Sequence, residues 1–408
     1  MTEPRPYRWV VESLLFLLYF AFGLCWIGYS PFLADLMEAY QATKAQAGAL
    51  ISIVSVSKTF VPLFAGVLAA RFGLRNSITV AGILSGLAVL APYAPNFESL
   101  MLVRFLFGMG GAVVVTLMGA IVMGWFPRSE LPMVNAANNV ALNTGVVAAL
   151  YSAPALTGPL GWRGTLVAYG LVAAALAVAW AILGRDSATA QAASAGQGPS
   201  PLGEMLRRRE TWMIAFGFMG PIALYLALNT WLPTYFQEAF GLDKAAASKV
   251  TGLFNLVGIP MALVGGWLTG RLGLRRPLIM LSGVLMPLGA MGMVLAPEPG
   301  LRYLSAAILG ASFFLYVAPL FTTPMELPGM DPRRVAVMNG IVFSVTYAGS
   351  FFAPILVGWG RDAFGSFVPG FAVCSAFSLL LALAGFLLPE TGPRARQAPA
   401  QAVPARVS

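Results

Sequence analysis

A lysine lies in the middle of one of the most apolar stretches of the sequence. The run ISIVSVSKTFVPLFAG, residues 51–66, contains Lys58 as its one charged residue. In a helix, Ser52, Ser55 and Thr59 fall on the same third of the circumference as Lys58, and the other positions are mostly apolar. An ammonium group deep in hydrocarbon costs about 2.5–3.5 kcal/mol, so such residues face a bundle interior or a watery cavity. The pattern predicts a positively charged cavity suited to an anion. A lysine that only stabilises helix packing is the alternative.

Four asparagines open another apolar stretch and share one helical face, within about 140° of one another. They are Asn135, Asn138, Asn139 and Asn143. An unsatisfied amide in hydrocarbon costs several kcal/mol, so these side chains should line a cavity or bond across helices. We predict that Asn139 and Asn143 line the same cavity as Lys58, completed by aromatic walls and polar donors. The residues predicted to complete it, each of which also fits plain packing or an interfacial position, are Tyr19, Trp26, Tyr225, Asn229, Tyr316 and Tyr347.

Two further charges lie within an apolar stretch or at its edge. Arg104 lies in the outer third of its stretch, where a coupling role and an interhelical role fit equally well. Asp35 lies at the end of the first stretch and is either a coupling group or a solvated helix end. Between residues 13 and 389 only Asp35 and Glu326 lie inside or at the edge of an apolar stretch. The sequence therefore predicts no deeply buried carboxylate that could carry a proton.

The elements that position these residues are membrane-spanning helices. The chain of 408 residues is 58% hydrophobic and 10% charged, with a mean hydropathy of +0.77, whereas soluble domains are about 25% charged. About 20 apolar residues cross a hydrocarbon core as a helix. The sequence predicts an all-α polytopic membrane protein whose first span is retained. Twelve spans are predicted, at residues 13–37, 46–69, 76–94, 99–124, 133–156, 163–184, 212–236, 249–269, 277–296, 302–323, 335–358 and 365–389.

The net charge of +9 reflects topology rather than nucleic-acid binding. Seventeen of the 25 Lys and Arg residues fall on the side shared by both termini, and six fall on the other side. The positive-inside rule predicts that both termini are cytoplasmic and that the protein lies in the cytoplasmic membrane. Two cysteines within apolar stretches and the absence of histidine give no disulfide or metal pattern. No metal, cofactor or nucleotide motif is present, and no catalytic constellation indicates an enzyme.

The chain is an internal duplication. GVLAARFGLR at residues 66–75 returns as GWLTGRLGLR at residues 266–275, and Asn135 and Gly145 are echoed by Asn339 and Gly349. The predicted organisation is an N-terminal six-helix bundle, a cytoplasmic linker, a C-terminal six-helix bundle and a disordered cytoplasmic tail. These units cover residues 1–185, 186–211, 212–389 and 390–408.

These motifs resemble those of the major facilitator superfamily. The two loop copies are similar to the family's GxLxDRxGRR signature, and RFLFGMG at residues 104–110 is similar to its RxxxGxG motif. The resemblance implies two pseudo-symmetric bundles that rock around a site near the membrane midplane. It also implies that loop arginines join the bundles by charge contacts, which makes Arg71, Arg75, Arg271 and Arg275 candidate gating residues. The acidic position of the signature is Ala70 or Gly270, so any partner must come from elsewhere, such as Glu130, Glu326 or Asp331.

The resemblance implies a secondary active or facilitative transporter that moves a small solute by alternating access. The positive charge of Lys58 predicts that this solute is an anion. The segments ELPGMDPRRVAVMNG and GWRGTL loosely resemble the cyanate and nitrate porter-like branch. We expect a monomer without cofactor, with a proton or a counter-anion as coupling partner. Two alternatives stay open: efflux of lipophilic drugs by the same fold, and a non-transporting receptor or scaffold.

Overall fold

The computed structural model describes residues 6–127, 130–186 and 201–394, and this part of the chain is helical throughout. The helices run back and forth between two faces. We name the face where the first helix begins and the last one ends the terminal face, and the other the opposite face. The N-terminal half contains α1 Tyr7–Ile27, α2 Leu33–Tyr40, α3 Lys44–Phe72, α4 Leu74–Gly86, α5 Phe97–Trp125 and α6 Leu131–Leu183.

The C-terminal half begins with a short surface helix and continues with long apolar ones. The short helix is α7 Leu202–Arg207. The others are α8 Arg209–Phe240, α9 Lys244–Leu272, α10 Arg276–Leu295, α11 Pro299–Leu315, α12 Val317–Glu326, α13 Pro332–Ser350, α14 Phe352–Phe364, α15 Val368–Ser378 and α16 Leu380–Leu387.

The predicted fold class is confirmed, since nine helical segments among the described residues are long and apolar enough to cross a membrane. A shorter apolar helix covers Leu74–Val89. One of the nine, Met133–Leu183, contains two predicted spans, and its backbone breaks at Gly161 with φ 65°. Only glycine adopts this conformation readily, so the chain reverses there. The count of twelve spans stays a prediction, as do the predicted unit boundaries.

Glycines bring helices of the N-terminal half into direct backbone contact. A Cβ added at Gly145 of α6 would lie 2.0 Å from the Phe20 carbonyl oxygen of α1, and one at Gly23 would lie 2.1 Å from the Leu142 oxygen. Membrane helices without a hydrophobic drive to associate rely on such small residues for close packing. The contact fixes α1 against α6.

The two halves meet along a few helix pairs. Helix α3 of the N-terminal half packs against α13 and α14 of the C-terminal half, and α6 packs against α9 in the same way. Of the predicted binding residues, Lys58, Asn143 and Tyr347 belong to these helices, so residues from both halves reach the junction.

Candidate functional site

Lys58 lies halfway along α3, fourteen residues from each end of the helix, or about 21 Å at 1.5 Å per residue. Its side chain is buried, with 2% of the residue exposed. Aromatic rings surround the ammonium group: its Nζ lies 4.2 Å from the ring centroid of Trp26, 4.8 Å from Tyr347 and 5.0 Å from Phe22. Tyr19 follows at 5.9 Å. We call these four side chains the aromatic cage.

The cage joins the two halves of the molecule. Tyr347 belongs to α13 of the C-terminal half, and its hydroxyl accepts a hydrogen bond from Lys58 Nζ at 3.4 Å. Within the described residues no carboxylate forms an ion pair with Lys58. Where the sequence predicts water around the lysine, the structure shows aromatic faces, which stabilise a cation by about 0.5–2 kcal/mol each. The Tyr347 side chain is half-buried.

An amide network crosses the junction beside the cage. The Tyr225 hydroxyl donates to Asn143 Oδ1 at 3.0 Å, and Asn143 Nδ2 donates to the Asn255 carbonyl at 2.7 Å. Asn255 Nδ2 in turn donates to Asn229 Oδ1 at 2.8 Å. Asn143 belongs to α6 of the N-terminal half. Tyr225, Asn229 and Asn255 belong to α8 and α9 of the C-terminal half. These hydrogen bonds tie the halves together at mid-depth.

The remaining predicted binding residues differ in how they reach this region. Tyr316 lies between α11 and α12, and its ring lies 6.5 Å from Phe313, which in turn lies 5.2 Å from Tyr225. Tyr19 stacks on Phe22 at 6.0 Å. The side chain of Asn139 lies outside the described part of the structure. The other predicted residues thus fall into two groups, the cage around Lys58 and the amide network, and Tyr316 contacts the second group through Phe313.

Contacts between the halves continue on the opposite face. Lys244 Nζ lies 2.7 Å from Asp35 Oδ2, and Lys44 Nζ lies 3.6 Å from Glu238 Oε1. The Ser30 hydroxyl donates to the carbonyls of Asn229 and Thr230, and the Ala45 amide donates to Asp362 at 3.3 Å. These contacts hold the two halves together on the opposite face, in addition to the hydrogen bonds at mid-depth.

The buried Arg104 side chain of α5 bonds to α1 and α3. Its guanidinium donates to the carbonyls of Cys25 and Trp26, both at 2.9 Å, and of Leu50 at 3.3 Å. It also lies 4.2 Å from the Tyr29 ring. These bonds fix the end of α1 that carries Trp26, so Arg104 positions one wall of the cage.

The loop arginines bond within their own halves. Arg75 donates to the carbonyls of Gly184 and Ala181, both at 2.6 Å. Arg275 binds the Glu326 carboxylate at 3.0 and 2.5 Å. Neither Arg71 nor Arg271 forms an ion pair in the described residues; each lies over a neighbouring ring. No described loop arginine joins the halves in this conformation.

Both copies of the loop signature lack its acidic residue, and an acidic residue at the end of each half bonds to the loop in its place. Asp186 accepts from the Arg75 amide at 2.7 Å, and Glu390 accepts from the Arg275 amide at 2.7 Å. The separation of 204 residues between these acids repeats the offset of the asparagine and glycine echo. Glu390 and Thr391 thus pack on the terminal face, although the tail was predicted to be disordered from residue 390. Residues 395–408 lie outside the described chain.

The sequence analysis missed Glu12, Asn255 and Phe22. Helix α1 begins at Tyr7, six residues before the predicted span, so Glu12 belongs to the first long apolar helix and is 7% exposed. Asn255 is a lone amide in an apolar run, a signal of the same kind as Asn229. Phe22 carries no signal that separates it from ordinary packing residues.

Comparisons with known proteins agree with this architecture. Residues 15–333 match the Major Facilitator Superfamily. The probable nitrate/nitrite antiporter NarK1 of Thermus thermophilus is 27% identical over 401 residues, 88% of this chain and 87% of that protein. The probable L-galactonate transporter of Escherichia coli is 25% identical over 378 residues, 86% of this chain and 82% of that protein.

A solved structure gives the same result for the fold. A bacterial homologue of the human lysosomal transporter Spinster, in an inward-facing and unoccupied conformation, superposes with a TM-score of 0.76. It is 16% identical, and the match covers 95% of this chain and 96% of that one. Because the family profile covers most of the chain and both relatives are transporters, the chain is a multi-pass membrane protein that transports solutes, not an enzyme, and it belongs to the Major Facilitator Superfamily.

Proposed function

We propose that the protein carries a small organic anion across the membrane by alternating access, with Lys58 as the residue that attracts the anion. The observation that supports this is a buried ammonium group between the two halves with no carboxylate paired to it in the described residues. A buried charge without a counter-charge is costly, and an anion bound beside it removes that cost. The charge therefore favours loading with an anion.

The surroundings of Lys58 favour an anion with one charge and a flat, apolar body. Arg104, the other buried cation nearby, is bonded to backbone carbonyls and has few donors left. Oxyanions such as nitrate are typically held by bidentate guanidinium groups, and here one ammonium group is surrounded by rings. Aromatic walls with a few polar groups suit the body of an aromatic or other planar carboxylate.

The pattern of contacts supports an assignment of the conformation. Two ion pairs and a hydrogen bond from a backbone amide join the halves on the opposite face. The excess of basic residues on the terminal face favours a cytoplasmic location for it. The conformation described here is then inward-facing, and the site loads or releases its substrate at the cytoplasm.

Counterflow in proteoliposomes tests the proposed function. The full chain is reconstituted, loaded with unlabelled benzoate, L-galactonate or nitrate, and assayed for exchange with the labelled anion. Loss of one charge-assisted contact of about 1.5–3 kcal/mol lowers exchange about 10- to 100-fold, so Lys58→Met should fall by this factor. Lys249→Met is the matched control, because Lys249 is exposed at the start of α9.

Each result of this assay separates the candidate functions. Exchange in Lys58→Met equal to that of the unmodified chain contradicts the proposal. Export of lipophilic cations that does not depend on Lys58 supports drug efflux instead. A chain that binds one of the anions and exchanges none behaves as a receptor.

A further inference from the structure

Glu12 lies on the same row of α1 as two walls of the aromatic cage. Residues seven apart in a helix differ by about 20° in direction, so Glu12, Tyr19 and Trp26 face one side. Glu12 is two turns nearer the terminal face than Tyr19, a distance of about 10 Å along the axis. The carboxyl group therefore lies between the cage and the terminal face.

The polar atoms at this position lack a hydrogen bond of ordinary geometry in the described residues, although the Asn138 amide lies close enough to Glu12 for a weak one. Both carboxyl oxygens of Glu12 are buried and unpaired, and so are the oxygen and the nitrogen of the Asn138 amide. Asn138 of α6 is 4% exposed, and its side chain lies beside Glu12. More than about 90% of buried polar groups in native proteins are paired. Two neighbouring buried side chains joined by no more than a weak hydrogen bond indicate a site that can take up a small polar occupant.

No cation neutralises Glu12 in the described residues. Arg8, one turn away on α1, pairs with Glu130 at 3.1 Å. On the helices packed against α1, Lys58 of α3 lies at the level of the cage, and Arg104 of α5 is bonded to carbonyls nearer the opposite face. A buried carboxylate without a counter-charge is costly, and one proton removes the charge.

We propose that Glu12 is the proton-binding site of this transporter, positioned by Asn138, and that it couples the anion at Lys58 to a proton. This inference rests on the proposed function. On the terminal face Glu12–COOH releases H⁺ to water and becomes Glu12–COO⁻, and on the other side it takes up one H⁺ by the reverse reaction. No covalent bond other than O–H changes.

Charge balance between the two sites sets the stoichiometry. With an anion on the Lys58 ammonium and a proton on Glu12, the path through the protein has no net charge. With neither ligand, Lys58 and Glu12 carry opposite charges, and the net charge is again zero. Each singly loaded state carries one uncompensated buried charge, so it crosses the membrane less readily. The two neutral states favour symport of one proton with one anion.

The test compares exchange with accumulation in proteoliposomes that contain the full chain. The labelled probe is whichever of benzoate, L-galactonate or nitrate exchanges in the unmodified protein. In Glu12→Gln, accumulation driven by a pH gradient should fall at least tenfold, to the level of equilibration, while exchange falls less than about threefold. Glu98→Gln is the matched control, because Glu98 is exposed on the opposite face.

Two results overturn the proton site. One is pH-driven accumulation in Glu12→Gln equal to that of the unmodified chain, and the other is accumulation driven by a sodium gradient in place of the pH gradient. A third measurement does not depend on the substrate: infrared spectra at neutral pH should contain a carbonyl band of a protonated carboxylic acid that Glu12→Gln removes. Absence of that band also overturns the site. Absence of exchange for every probe in the unmodified chain counts against the proposed function, and the infrared band then decides the proton site by itself.

Discussion

Substitution of Gly145 by alanine should destabilise the N-terminal half, because its neighbour is backbone. The new Cβ would lie 2.0 Å from the Phe20 carbonyl oxygen. Real Cβ atoms essentially never lie closer than 3.0 Å to such a neighbour, so α1 and α6 must separate. Overpacking of this size costs about 1–3 kcal/mol. At about 2 °C per kcal/mol the midpoint of thermal unfolding should fall by roughly 2–6 °C.

Two further glycines provide controls for this prediction. At Gly349, the counterpart of Gly145 in the repeat, the new Cβ would meet the Met219 sulfur at 2.3 Å, which is part of a flexible side chain that can turn aside. At Gly119 nothing lies within 4 Å. Thermal unfolding of the purified variants should rank Gly145→Ala below Gly349→Ala and place Gly119→Ala at or above the unmodified chain. Equal midpoints for Gly145→Ala and Gly119→Ala would show that the close contact of α1 and α6 has no energetic weight.

Three other substitutions have outcomes set by single contacts. Arg104→Leu leaves three carbonyls without their donor and should lower stability by about 2–4 kcal/mol in chemical denaturation, with Arg104→Lys intermediate. Asp35→Asn removes the ion pair with Lys244, which is worth about 0.2–1 kcal/mol. The population with an open opposite face, measured from distances between spin labels on the two halves, should rise by up to about fivefold. The Arg334 amide and guanidinium hold the pKa of Asp331 below its ordinary value, so the stability difference between the unmodified chain and Asp331→Asn should be present at neutral pH and vanish as pH falls through that lowered pKa.

The sequence was sufficient for features that depend on local composition or on periodicity. The depth of Lys58 follows from counting residues along an apolar run, and the structure places it at the middle of α3. The repeat placed Arg75 and Arg275 at equivalent loops, and both bond to backbone or carboxyl groups of their own half. A residue's depth and its direction are one-dimensional properties, so spacing alone contains them.

Partners across the junction could not be predicted, because they depend on how two bundles are docked. Nothing in the sequence pairs Lys58 with Tyr347, 289 positions away, or places Asn143 against the Asn255 carbonyl. Glu12 was missed for a different reason. Hydropathy begins to rise after it, while the helix starts at Tyr7 and buries the carboxyl group against Asn138.

The distribution of contacts between the halves favours one resting conformation. On the opposite face two ion pairs with partly exposed groups contribute about 0.2–1 kcal/mol each, and the hydrogen bonds of Ser30 and Ala45 about 0.5–1.5 kcal/mol each. Together these amount to roughly 1.5–5 kcal/mol, or about a ten- to five-thousandfold preference for a closed opposite face. On the terminal face the acids Asp186 and Glu390 hold the loop residues Arg75 and Arg275 within their own halves. Under the proposed function, an anion arriving from the opposite face must provide the free energy that opens that face, and we propose that the Lys58 ammonium, which has no carboxylate partner in the described residues, is the group that supplies it.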